Sequence, residues 1–182
     1  MAITLVSTAT ASGTANIAFD LGSAVEYIFE FFSIHPADSD IEFEVQFNAS
    51  DSSSFDEKIV SGTKMALSSH ANSTEAYVSD FSSFGMDDET GAVCLARFVG
   101  NAAYSSVSGR LRIFNPSSTT FMKMFESSMV NSYKGALDAT AAGTELFEHQ
   151  GYINTTTAVD EIQFKFASGN IDAGVIKMYK VS

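Results

Sequence analysis

Ile41-Glu42-Phe43-Glu44-Val45-Gln46-Phe47-Asn48 is the stretch that decides the fold. Ile41, Phe43, Val45 and Phe47 share one parity and Glu42, Glu44, Gln46 and Asn48 the other. Side chains that alternate with a period of two line opposite faces of an extended strand, so this segment reads as a strand with one face in the core and one in water. Asp160-Glu161-Ile162-Gln163-Phe164-Lys165-Phe166 repeats the pattern, with Ile162, Phe164 and Phe166 inward and Glu161, Gln163 and Lys165 outward.

Outward from these two, further strand candidates run Ile3 to Ser7, Asn16 to Phe19, Tyr27 to Ile34, Ile59 to Leu67, Val93 to Phe98, Gly109 to Phe114, Thr120 to Val130, Leu146 to Ile153 and Gly174 to Val181, about eleven strands with the two above. Clusters such as Ala49-Ser50-Asp51-Ser52-Ser53-Ser54, Asn115-Pro116-Ser117-Ser118 and Ala167-Ser168-Gly169-Asn170 separate them. Their members supply positive φ or local side-chain bonds and so favour turns. Val25-Glu26-Tyr27-Ile28-Phe29-Glu30-Phe31-Phe32 is apolar on both parities, which predicts a central strand covered on both sides, with a buried helix as the rival reading. Asn72 to Gly91 has no clean period and reads as a long loop carrying Phe81, Phe84 and Met86 as aromatic and apolar anchors. Parallel strands would need amphipathic crossover helices, and none is evident. The expected architecture is all-β: a single domain, 1–182, built as an antiparallel two-sheet β-sandwich, jelly-roll-like, with little helix.

Composition sets bounds on what such a domain does. Apolar residues make up 45% of the chain, and 16 Phe and 6 Tyr supply enough bulk for a core without staples. Cys94 is the only cysteine, which excludes an intrachain disulfide and a Cys-based zinc cage; within Val93-Cys94-Leu95 it reads as a small buried hydrophobe. The net charge of −12, with only ten Lys and Arg, argues against nucleic acid, whose phosphates need cations to displace their counterions. Met1-Ala2-Ile3-Thr4-Leu5-Val6 lacks the cationic start of a secretory signal and no run of eighteen apolar residues occurs, so synthesis in a cytoplasm and no membrane partner are expected. The sequons beginning at Asn48, Asn72 and Asn154 then follow from a chain rich in Ser, Thr and Asn.

No reactive centre is legible. His35, His70 and His149 lie far apart and none has the spacing of a metal pair, so no metal or cofactor is expected. A triad drawn from scattered Ser, His and Asp carries no weight where Ser is so frequent. Asp38-Ser39-Asp40 and Asp87-Asp88-Glu89 lack the ligand ladder of a calcium loop and read as a solvated loop and an exposed charge run. Glu42 and Glu44 are explained by strand alternation, and no glycine-rich loop leads into a helix to cradle phosphate. No catalytic residue is nominated, and a non-enzymatic role is expected. The surplus of large apolar residues is the one compositional oddity: Phe121, Met122, Met124, Phe125 and Met129, with Phe81, Phe84 and Met86, are candidates for burial between subunits, an ordinary core being the other reading. Ile3, Leu5 and Val6 form an apolar strand that a neighbour could pair with or exchange.

Several stretches carry a likeness: Phe32-Ser33-Ile34-His35-Pro36-Ala37-Asp38 leading into the Ile41 to Asn48 strand, Phe55-Asp56-Glu57-Lys58-Ile59, Ser108 to Thr120, Gly151-Tyr152-Ile153-Asn154-Thr155-Thr156, and Ile162 to Tyr179. With these the chain resembles small virion structural proteins of tailed phages of marine bacteria, over most of its length. The resemblance implies a β-rich protein, expected as a trimer, at the head surface or in tail fibres. It carries over no functional residue, because the shared segments are strands and turns. With no long attachment segment, coiled coil or β-helical shaft in view, the expectation is a capsid decoration (cement) protein, a homo-oligomer located in the virion, whose partner is the major capsid protein or another virion protein. The alternative is a tail-fibre or receptor-binding module that reads host surface glycan or protein through loops such as Asn72 to Gly91. A lectin-like or hydrolytic protein outside any virion is the third reading.

Overall fold

The computed structural model describes residues 2–55, 58, 60–70, 76–79, 87–133 and 143–182. Among the described residues thirteen strands form, every pairing is antiparallel, and there is no helix. In chain order they are β1 (Ile3–Thr10), β2 (Asn16–Asp20), β3 (Glu26–Pro36), β4 (Ile41–Ala49), β5 (Val60–His70), β6 (Ala76–Ser79), β7 (Asp87–Glu89), β8 (Val93–Val99), β9 (Val107–Phe114), β10 (Lys123–Tyr133), β11 (Gly143–Ile153), β12 (Val159–Phe166) and β13 (Ile171–Val181).

Two sheets result. The larger runs β1-β13-β3-β9-β10-β11-β5, with β6 and β7 on the far side of β5; the smaller runs β2-β12-β4-β8. A single residue pair, Tyr133 opposite Val99, joins β10 to β8 and makes the hydrogen-bonded network continuous across the two. The pairs β1–β13, β2–β12, β3–β9 and β4–β8 are nested, and successive pairs alternate between the sheets. That is a long hairpin rolled upon itself, the jelly-roll arrangement. Two insertions enlarge it: β5 to β7 between β4 and β8, and β10 with β11 between β9 and β12. Together they extend the large sheet past β9 and curl it around β8.

Phe164 on β12 is the centre of the core. Its ring lies 4.9 Å from Phe31, 5.2 Å from Phe29 and 6.2 Å from both Phe19 and Phe43, so residues of both sheets meet on one aromatic side chain. Most of these rings meet edge to face or tilted, the geometry their quadrupoles prefer. Phe47 and Phe125, 5.3 Å apart, extend the core beneath the inserted strands. The alternation seen at Ile41 to Asn48 is realised: Phe43, Val45 and Phe47 are buried and Glu42, Glu44, Gln46 and Asn48 are half-buried on the opposite face.

Two expectations need correction. β3 is central, between β13 and β9, yet it is covered on one face only: Tyr27, Phe29 and Phe31 are buried whereas on the other face Ile28 is half-buried and Phe32 exposed. The stretch read as a loop from Asn72 to Gly91 contains β6 and β7, whose backbones pair with β5; Phe81, Phe84 and Met86 lie outside the described residues. Strand β7 is Asp87-Asp88-Glu89 itself, so that acidic run is backbone of a sheet edge rather than a free loop. Turn chemistry is as expected at Asn115 (φ 46) and Gly169 (φ 71), where the chain adopts left-handed conformations.

Candidate functional site

Because β3, β9, β10 and β11 bury alternate residues, the remaining ones form a broad outer face on the large sheet. Its middle is a charged belt. Register places Glu30, Arg110, Ser128 and Glu148 in one cross-strand row and Ile28, Arg112, Glu126 and Gln150 in the next. Arg112 donates through Nε to Glu26 Oε1 and through Nη1 to Glu126 Oε1, both at 2.6 Å, and these carboxylates raise its already high pKa. Ser128 Oγ donates to Glu148 Oε1 at 2.6 Å. The belt is thus tied down within the chain.

Apolar side chains flank the belt. At the end where β3 begins, Ile3 pairs with Val181, which pairs with Glu26 opposite Phe114, and Met124 pairs with Tyr152. Ile3, Val25, Phe121, Met122 and Met124 all stand exposed there, Phe121 most of all at 68%. Phe121 is not on a loose segment. Ser118 Oγ accepts from the Phe121 and Thr120 backbone N–H groups at 3.0 and 3.2 Å. Lys123 Nζ, on a residue with no exposed surface, donates to the Phe121 and Thr155 carbonyls at 3.0 and 3.2 Å. Burial lowers the pKa of this ammonium, since desolvation disfavours the charged form. Of the other subunit-contact candidates, Phe125 and Met129 are core residues.

A second polar group lies inside, where the inserted strands wrap β8. Ser127 and His149 are directly opposite on β10 and β11, both buried, with Ser127 Oγ 3.1 Å from His149 Nδ1. Burial and the charge of Lys64 push the imidazole pKa down to about 4, against a hydrogen bond to the Cys94 backbone that raises it. Nearby, Glu145 Oε1 accepts from Ser68 Oγ at 2.7 Å and from Arg97 Nη2 at 3.2 Å, while Asn131 Nδ2 donates to the Arg97 carbonyl at 2.6 Å. Cys94 is buried as expected, and desolvation raises its thiol pKa strongly, which keeps the sulfur unreactive. Ser127 and His149 share the pairing of an activated nucleophile, and both are buried.

The remaining candidates are dispersed. Asp38 accepts from Ser168 Oγ at 2.9 Å beside the Gly169 turn; Glu42 and Glu44 remain on the outer face of β4; His70 is described by its backbone alone. Among the described residues no three His, Cys, Asp or Glu side chains are grouped to hold a metal ion, and no helix is long and apolar enough to cross a membrane. Sequence reading missed the buried Lys123, Ser127, Asn131, Glu145 and His149. The available signal was parity, since Lys123, Ser127 and Asn131 share the inward face with Phe125 and Met129. Compared with known protein families, curated proteins and solved structures, the chain matches none.

Proposed function

We propose that this chain is a phage virion structural protein, a capsid decoration (cement) protein that acts as a homotrimer and stabilises the head by burying surface at capsomer junctions. The observation that carries this reading is Phe121: a large apolar side chain held out into solvent by a backbone that Ser118 and Lys123 fix in place. A fixed apolar anchor loses little conformational entropy on binding, and transferring such a side chain from water stabilises a contact by roughly 1.5–3 kcal/mol. Val25, Met122 and Met124 are also exposed at this end of the sheet and add to its apolar surface. A protein that binds only the assembled shell shifts the equilibrium toward that shell by mass action. The likeness of the strand and turn segments to marine phage virion proteins supplies the biological setting.

Cryo-electron microscopy of virions carrying this protein tests the reading. Many icosahedrally arranged copies with Phe121 at the shell are expected. A few copies confined to the tail would transfer the chain to the alternative, a tail-fibre or receptor-binding module, and absence from the virion would sink both.

A further inference from the structure

At the opposite end of the large sheet, where β3 ends and β13 begins, both strands lose their register. Bulges interrupt β3 between Phe31 and Ile34 and β13 between Ile171 and Val175. Ser33 takes a left-handed φ of 50°, and Gly174 has φ +122° with the Ile34 Cα and Ser33 carbonyl oxygen both 2.8 Å from where a Cβ would stand. Bulges and left-handed non-glycine residues disrupt pairing and re-aim side chains, and they gather beside functional sites. Here they open an accessible depression of about 580 Å³, the size range of small-molecule sites.

His35, Asp172, Asn101, Tyr104 and Ser105 line it. His35 Nε2 lies 3.1 Å from the Ala102 carbonyl, which can only accept, so the proton is on Nε2. His35 Nδ1 and Asp172 Oδ2, 3.7 Å apart and beyond direct hydrogen-bond length, are then two neighbouring acceptors that two separate hydroxyl groups could donate to. Asn101 spends Nδ2 on the Ala37 carbonyl at 3.1 Å. Ser105 is 1% exposed, and its Oγ has no hydrogen-bond partner among the described residues. Tyr104 leaves 51% of its surface in water at the rim, an aromatic plane with a polar tip.

We infer that this depression is a saccharide-binding site. Its lining mixes hydrogen-bond acceptors and hydroxyl donors around one exposed aromatic face, which matches a neutral polyhydroxyl ring with an apolar side. Among the described residues no Lys or Arg lines it, so an anion finds no fixed counter-charge there. A cation would need an enclosed aromatic cage, whereas among the described residues Tyr104 is the one Phe, Tyr or Trp ring of the lining and Asp172 is mostly solvated. The site lies at the far end of the sheet from Phe121, so a protein docked through Phe121 would leave it facing outward.

The full chain is titrated with glucose, galactose, mannose, N-acetylglucosamine, lactose and maltose, with choline and inorganic phosphate as comparisons, by calorimetry and saturation-transfer NMR. Binding of at least one neutral sugar is expected, weakened about tenfold or more by Tyr104→Ala and by Asp172→Asn. Phe121→Ser leaves it unchanged, and melting temperatures show that the exposed-site variants remain folded. Three results would overturn the inference: no sugar binds, only choline or phosphate binds, or both site variants bind as the parent does. None of these touches the virion reading, which rests on the other end of the sheet.

Discussion

Ser127 Oγ and His149 Nδ1 stand 3.1 Å apart at directly opposed positions of β10 and β11, sealed from solvent by the curl of the large sheet over β8. The imidazole is held neutral, its pKa near 4, because burial and the Lys64 charge both disfavour protonation.

Stability therefore depends on this proton. An unfolded histidine binds it near pH 6.5, whereas the folded one resists until about pH 4, so between these values the unfolded state holds more protons and stability falls with falling pH. The contribution is complete above about pH 6.5 and the full loss, about 3 kcal/mol, is reached below pH 4. Urea unfolding followed from pH 7.5 to 4 should show this decline, and His149→Gln should flatten it. Asp51, whose carboxyl Lys58 holds below its ordinary value, adds its own loss only at lower pH. An equal slope in the variant would show that His149 is not responsible.

Glu145 holds the neighbouring polar group together, taking Ser68 Oγ and Arg97 Nη2 on one oxygen while 2% of its side chain is exposed. Glu145→Ala removes the buried carboxylate that pairs with the Arg97 guanidinium and should lower stability by about 3–5 kcal/mol in chemical denaturation. Arg97→Met combined with Glu145→Leu should recover most of that loss, since replacing both ions removes the desolvation penalty along with the attraction. If the double variant is as unstable as Glu145→Ala, the ion pair is contributing more than its own solvation cost.

Parity explains both what the sequence made readable and what it hid. Phe43, Val45, Phe47, Ile162, Phe164 and Phe166 alternate cleanly because each belongs to a strand with one dry face, and that alone leads to the two-sheet sandwich. Ile28 and Phe32 mislead for a reason that is also local. Apolar residues on both parities look doubly covered, yet here they form part of an outer face left open to solvent. Ser127 with His149 and Ser68 with Glu145 were invisible as pairs because pairing across β5, β10 and β11 brings them together from distant segments, and single-sequence alternation carries no register. The depression around His35 was hidden likewise: it depends on bulges in two strands 130 residues or more apart in sequence, and nothing in Ile34-His35-Pro36 or Asp172-Ala173-Gly174 announces that they meet.

Gly174 is the residue on which that meeting turns. With φ at +122° and β3 backbone 2.8 Å from where a Cβ would be placed, any side chain forces β13 away from Ser33 and Ile34. Gly174→Ala should cost about 1–3 kcal/mol, read from the urea midpoint. Substituting Gly13, whose φ is +70° but whose Cβ would meet nothing within 4 Å, isolates the backbone strain from the clash, so Gly13→Ala should cost less. Equal losses would mean that close packing between β3 and β13 is not what requires a glycine.

Phe121 separates folding from association. Its ring is 68% exposed and touches the fold through a backbone anchored by Ser118 and Lys123, so deleting the ring removes almost nothing from the core. Phe121→Ser with Met124→Ser should leave the melting temperature within a degree or two, as surface changes away from special features stay within about 0.5 kcal/mol. If the proposed virion role holds, incorporation into virions should nevertheless fall sharply, because each copy would lose the apolar transfer energy of its contact with the shell. Lys123→Met separates the anchor from the ring: it keeps Phe121 but frees the carbonyls of Phe121 and Thr155, so it should weaken incorporation while the ring remains present. Quantifying the protein in purified particles grown with each variant decides the matter. Normal incorporation of the Phe121 and Met124 double variant would remove this end of the sheet from consideration as the contact that holds the protein on the virion.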